Sequence, residues 1–169
     1  SYQKLVLAMG SEPLIPPFPG REKGNVFAIK KDVPYLQQVI DQMEKSKNLC
    51  IIGCGFIGVE IAEECRRGRP DLNITIVEML THCLQLVYDE DFCIQAEHTL
   101  KGQGISLLLD EKVEALVGNG VVEKVRLKSD KEIEADMVIM GIGAIANTKL
   151  AQKAGLEIGQ TKGVQVNRY

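Results

Sequence analysis

The feature that most constrains this chain is a Gly-x-Gly-x-x-Gly run, Gly53-Cys54-Gly55-Phe56-Ile57-Gly58. Sixteen glycines in 169 residues make a chance match easy, so the flanking residues must carry the argument. The run follows Leu49-Cys50-Ile51-Ile52, a continuous apolar stretch of the kind expected of a strand covered on both faces. A helix opens at the motif, with Ile57, Ile61 and Cys65 on one face. Arg66 and Arg67 fall in its last turn, Gly68 is placed to end it, and Pro70 bars its return. Ile74-Thr75-Ile76-Val77 is the next strand, and it ends at Glu78. Residues 49–78 therefore form a strand–helix–strand unit of βαβ size. Glu78 lies about 20 residues beyond Gly58, the spacing of an acid that holds a ribose.

Each glycine has its own physical reason. Gly53 permits the tight turn out of the strand, Gly55 lets a pyrophosphate approach the backbone, and Gly58 lets the helix pack closely on the sheet. The unpaired amides of Gly55 to Gly58 and the positive end of the helix dipole suit phosphate. Glu78 can accept hydrogen bonds from both adenosine ribose hydroxyls and would repel a 2′-phosphate. Met79, Leu80 and Thr81 include no arginine to receive one. The expectation is a dinucleotide site that prefers NAD(H) to NADP(H).

The rest of the chain reads as an α/β protein. Leu5 to Ala8 suggests a short strand closed by Gly10. Residues 11–24 hold four of the six prolines and read as an extended connector. A helix follows, capped by Asp32, with Val33, Leu36, Ile40 and Met43 as its apolar stripe. Beyond Glu78, Phe92, Ala96 and Leu100 mark a helix finished by Gly102 and Gly104, and residues 105–109 a strand. Val113 to Val117 and Val121 to Leu127 read as strands joined by a three-residue hairpin, Gly118-Asn119-Gly120. Met137 to Met140 is another wholly apolar strand, followed by Gly141-Ile142-Gly143, and a helix over roughly 147–154 closes at Gly155. The expected fold is a three-layer, Rossmann-like dinucleotide-binding domain of the FAD/NAD(P) type, with a β-meander inserted as a crossover.

Composition narrows the partners. The net charge is -3, and no Lys/Arg block or tryptophan is present, which argues against nucleic acid. The longest apolar runs are too short to span a membrane. The five cysteines, at 50, 54, 65, 83 and 93, form no Cys-x-x-Cys pair or zinc spacing, and an odd count without a secretory signal fits the cytoplasm. Cys50 and Cys65 read as core. Cys54 reads as a partly exposed filler of a free motif position, too close to the turn for a catalytic disulfide. His82 and His98 read as solvated surface residues, with a nucleophilic His82–Cys83 pair as a remote alternative. The chain starts at Ser1 and stops at Tyr169 without terminal signals, so it reads as a piece of a longer protein.

Four segments together resemble the NAD-binding domain of the FAD-dependent pyridine nucleotide–disulfide oxidoreductases, closest to the NADH oxidase and coenzyme A-disulfide reductase branch. Tyr2 to Ser11 is similar to the family's flavin-side strand, with Met9 in place of threonine. Pro16-Pro17-Phe18-Pro19-Gly20 matches its proline-rich link, and Gly53 to Glu60 its Gly-x-Gly-x-Ile-Gly-x-Glu. Gly141 to Asn147 resembles its later Gly-x-x-Pro-Asn signature, with Ala146 in place of proline. The resemblance implies that residues 1–24 are a strand and connector from an absent FAD domain, and 25–169 an NAD(H)-binding domain. It implies that NADH is seated for hydride transfer to FAD in a parent enzyme, with no catalytic residue in this chain. It also implies an FAD-binding domain and a C-terminal dimerisation domain in the same polypeptide, the parent being a homodimer. By the resemblance, Gly53, Gly55, Phe56, Ile57, Gly58, Glu60, Glu78, Val113, Gly141 and Gly143 face the NAD, and Ala8 and Gly10 the FAD. From the residues alone, Phe56 and Ile57 read equally as core, Glu60 as a first-turn acid favoured by the helix dipole, Val113 as a plain strand residue, and Gly141 and Gly143 as a strand-ending turn. Two alternatives are a non-catalytic NAD(H)-sensing module and an S-adenosylmethionine-dependent methyltransferase. The meander and the Gly141–Asn147 segment argue against the methyltransferase.

Overall fold

A computed structural model of the chain describes residues 2–167. Ser1, Arg168 and Tyr169, the outermost positions of segments 1–24 and 25–169, lie outside them. The middle layer is a parallel five-stranded sheet in the order β2 (Val26–Ala28), β9 (Met137–Met140), β3 (Asn48–Ile52), β4 (Asn73–Val77), β5 (Ser106–Leu108). Successive side chains of a strand point to opposite faces, so strands covered on both sides need unbroken apolar sequence. The faces divide accordingly. Leu49, Ile51, Ile74, Ile76, Met137 and Ile139 pack under the helices α1 (Val33–Lys45), α2 (Phe56–Gly68) and α3 (Glu90–Gly102). Cys50, Ile52, Val77, Val138 and Met140 pack against a three-stranded antiparallel sheet of β6 (Val113–Val117), β7 (Lys124–Leu127) and β8 (Glu132–Glu134). Helices, parallel sheet and meander make the three layers, and the meander carries the chain from β5 back to β9, as the sequence suggests. α4 (Lys149–Lys153) ends at Gly155. No helix among the described residues is long and apolar enough to cross a membrane.

Several local expectations are corrected. Leu5 to Ala8 is not a strand, and Leu5 and Val6 are exposed. The strand nearby is β1 (Ser11–Pro13), which pairs antiparallel with β10 (Ala144–Ala146). Proline is tolerated there because Pro13 ends a two-stranded edge and need not donate. β2 and β10, three residues each, are too short to carry a periodic signal. The connector is packed: Phe18 lies against the meander core, and a Cβ on Gly20 would overlap the Leu116 carbonyl.

The apolar stripe of α1 is also rotated from the expected one. Val33 and Ile40 are exposed, while Tyr35, Val39 and Met43 face the core. Tyr35 sets this rotation: its ring stands edge-on to Phe27 and its hydroxyl accepts the Ala28 amide at 3.1 Å. The Asp32 cap forms as expected, with Asp32 Oδ1 accepting from Tyr35 N at 2.8 Å. In α3, Phe92 faces outward and Cys93, Glu97 and Leu100 face inward. The hairpin is longer than three residues, because Asn25 Oδ1 takes the Val122 amide and Asn25 Nδ2 donates to the Val122 carbonyl, holding Val122 off the ladder, which resumes where Glu123 N donates to the Val117 carbonyl at 2.9 Å.

Candidate functional site

Three glycines close on one another at the carboxyl ends of β3 and β9. Gly53 N donates to the Val77 carbonyl and Gly141 N to that of Ile52, both at 2.8 Å. Gly53 has φ +100, which side chains rarely adopt. A Cβ on Gly58 would overlap the Gly53 carbonyl, and one on Gly141 would come within 2.8 Å of Gly58 Cα. No side chain fits at this crossing. β4 follows β3 on one side and β9 lies on the other, so the strand order reverses here, the usual place for a ligand crevice in an open α/β sheet.

Gly55 differs in kind. It is the N-cap of α2, exposed, and a Cβ there would meet no protein atom within 4 Å. No side chain caps the helix, and its first internal bond is Val59 N to Gly55 O at 3.0 Å. The amides ahead of it have no partner within the helix. Beside them, Glu78 is buried, with Oε2 accepting the Cys54 amide at 2.6 Å and Oε1 the Leu80 amide at 2.9 Å. Two amides fix the carboxylate, and each oxygen keeps a lone pair for a further donor. An open glycine, an uncapped helix start and a fixed carboxylate fit the pyrophosphate and ribose of a dinucleotide.

A cleft of about 510 Å³ joins these features. Gly53, Gly55, Phe56, Ile57, Glu78, Val113, Gly141 and Gly143 all line it. Gly58 lies buried beneath the turn. Glu60 is exposed on α2 and lies outside the lining. Ala8 and Gly10 are also outside it. Gly10 O accepts the Asn147 amide at 2.9 Å and Met9 O the Asn147 side-chain amide at 3.0 Å. The structure thus ties Met9 and Gly10 to Asn147 at the end of the Gly141–Asn147 segment. Glu111, also at the cleft, has its carboxyl held below the usual range by Lys131 Nζ at 2.8 Å and then by Ser129 Oγ at 3.0 Å.

The cysteines bring the main correction. Cys54 is buried and forms a disulfide with Cys83, 29 residues on, with Cα atoms 4.8 Å apart. It is neither a partly exposed thiol nor a filler. The residues after Glu78 fold back over the glycine turn, where Leu84 N donates to Cys54 O at 2.8 Å. His82 is not simply solvated either. Its Nδ1 lies 3.0 Å from Glu97 Oε1, which also accepts the Cys83 amide at 3.1 Å, and its Nε2 lies 3.7 Å from Glu90. Glu97, buried on α3, was missed; its signal is a charge four residues beyond Cys93 on an otherwise apolar helix face. His98 is exposed. Burial raises the Cys50 thiol to about 12, and burial with Glu64 beside it raises Cys65 to about 11, so both are inert core residues as expected.

A family model described as "Pyridine nucleotide-disulphide oxidoreductase" matches residues 1–169. A nitrite reductase [NAD(P)H] of Bacillus subtilis (strain 168) is 31% identical over 170 residues, which cover 99% of this chain and 20% of that protein. An NADH oxidase of Methanocaldococcus jannaschii is 34% identical over 171 residues, 99% of this chain and 37% of that one. The chain thus spans well under half the length of these relatives. The solved water-forming NADH oxidase of Lactobacillus brevis, bound to NADH, superposes with a TM-score of 0.83 at 27% identity, covering 95% of this chain and 35% of that one.

Proposed function

The chain belongs to the pyridine nucleotide-disulphide oxidoreductase family, and from that premise we propose that it is the NADH seat of a flavin-dependent oxidoreductase. One observation carries the reading: the Glu78 carboxylate, fixed by the Cys54 and Leu80 amides, beside the open backbone of Gly55. Gly55 and the first amides of α2 hold the pyrophosphate, and the helix dipole favours its charge. Glu78 accepts the two adenosine ribose hydroxyls. Gly141 and Gly143 let the backbone lie close to the nicotinamide half. Bound NADH would supply a hydride, passed to FAD, and these residues position that cofactor and shield one side of it from water. The FAD-binding and dimerisation domains belong to the same polypeptide, the parent acts as a homodimer, and the setting is cytoplasmic.

Preference for NADH over NADPH follows from Glu78, since a 2′-phosphate would be placed against a carboxylate. Calorimetry should give NADH the tighter binding by tenfold or more, about 1.4 kcal/mol. Glu78→Arg should shift the preference towards NADPH. Equal or reversed affinities in the unaltered protein would refute the ribose assignment.

A further inference from the structure

We propose that Cys54–Cys83 is a thiol–disulfide latch that holds the wall of the cleft in place and so sets its affinity for the dinucleotide; this rests on the reading of the cleft as an NADH seat. Cys54 lies inside the glycine turn and carries three ties at once. Its amide holds Glu78 Oε2, its carbonyl takes the Leu84 amide, and its sulfur is bonded to Cys83. Leu84 to Val87 form a wall of the cleft directly after Cys83. Leu84 sits at φ +61, a left-handed conformation that a branched apolar residue adopts only under constraint. The disulfide and the bond to Cys54 O supply that constraint. Cutting the disulfide frees Leu84 to relax and loosens both the wall and the residue that orients Glu78.

The pair is opened by a dithiol. One thiolate of the dithiol attacks a sulfur of the pair and forms a mixed disulfide, while the other cysteine leaves as a thiolate and takes up a proton. The second thiol of the dithiol then closes on the mixed disulfide and releases the first cysteine as a thiol. Two electrons and two protons pass to the protein, and the dithiol ends as its own disulfide. Cys54 and Cys83 are both buried, so exchange requires the 79–88 segment to lift. A dinucleotide lying against that segment holds it down. Coupling is reciprocal: if the disulfide tightens NADH binding, NADH protects the disulfide to the same degree. In a cytoplasmic setting such pairs are cycled rather than permanent.

The test titrates the full chain with NADH by calorimetry, oxidised and after reduction with dithiothreitol. In parallel, mass spectrometry after alkylation follows the fraction reduced at equilibrium in dithiothreitol redox buffers, with and without NADH. The oxidised form should bind about tenfold more tightly, and the pair's potential should fall by about 30 mV with NADH bound. Cys83→Ser should bind like the reduced form and lose any response to dithiothreitol. Equal affinity in the two states overturns the latch. If neither state binds NADH, the dinucleotide reading fails instead. Hydrogen exchange on the unaltered chain then decides the latch alone: faster exchange at Leu84 to Val87 on reduction supports it, and unchanged exchange overturns it.

Discussion

Gly55 and Gly58 stand three positions apart in one motif, yet side chains at the two positions would meet opposite surroundings. Gly58 is enclosed by protein, and a methyl group there would overlap the Gly53 carbonyl. Gly58→Ala should therefore destabilise the fold by about 1–3 kcal/mol, more than the helix propensity it gains. A lowered denaturant midpoint would show this, and an unchanged midpoint would contradict the close crossing. Gly55 faces open space, so Gly55→Val should leave the midpoint nearly unchanged while abolishing NADH binding. Normal binding by that variant would mean that the cofactor does not lie on this turn. The sequence shows both residues as motif glycines and gives no way to tell which one serves the fold. That difference depends on the Gly53 carbonyl, which the folded turn sets against Gly58 and away from Gly55.

Between elements, the junction of α1 with the loop before β4 rests on Arg69. Its guanidinium pairs with Asp71 at 2.8 Å and donates to the carbonyls of Met43 at 2.8 Å and Ser46 at 3.3 Å. The hydrogen bond from Arg69 is the largest cause holding the Asp71 carboxyl down at about 2, against an ordinary 3.8. A group depressed on folding contributes stability above its unfolded value and loses it as pH falls through the folded one. Stability should therefore fall across pH 4 to 2, and Asp71→Asn should flatten that part of the profile. An unchanged slope in acid denaturation would remove Asp71 from the junction. Elements of this kind were unevenly legible. Met137 to Met140 and Leu49 to Ile52 announce themselves, because strands covered on both faces must be apolar throughout. Val26–Ala28 is too short to show a period, and β1–β10 and Cys54–Cys83 depend on partners far away in sequence. The α1 stripe is not legible from spacing alone, because the Tyr35 hydroxyl, through Ala28 N, decides which face turns inward.

For the molecule as a whole, the helices and the meander frame the proposed nucleotide seat, and among the described residues the disulfide beside it is buried. Purified alone, the chain should be colourless and should not turn over NADH. Flavin absorbance bands, or sustained loss of absorbance at 340 nm, would contradict the division of labour proposed here. The seat is also built in an order that the chain cannot shortcut. β9 is made after the meander, yet it lies between β2 and β3, the first two strands of the sheet to be synthesised. Until β9 arrives, both of those strands present unpaired edges and Gly53 has no Gly141 to close against. On the ribosome, the nascent chain must keep an apolar gap open while more than half of its length emerges. The long loop that closes it makes this a slow, late step. The first appearance of nucleotide binding during refolding would therefore mark the insertion of the last strand.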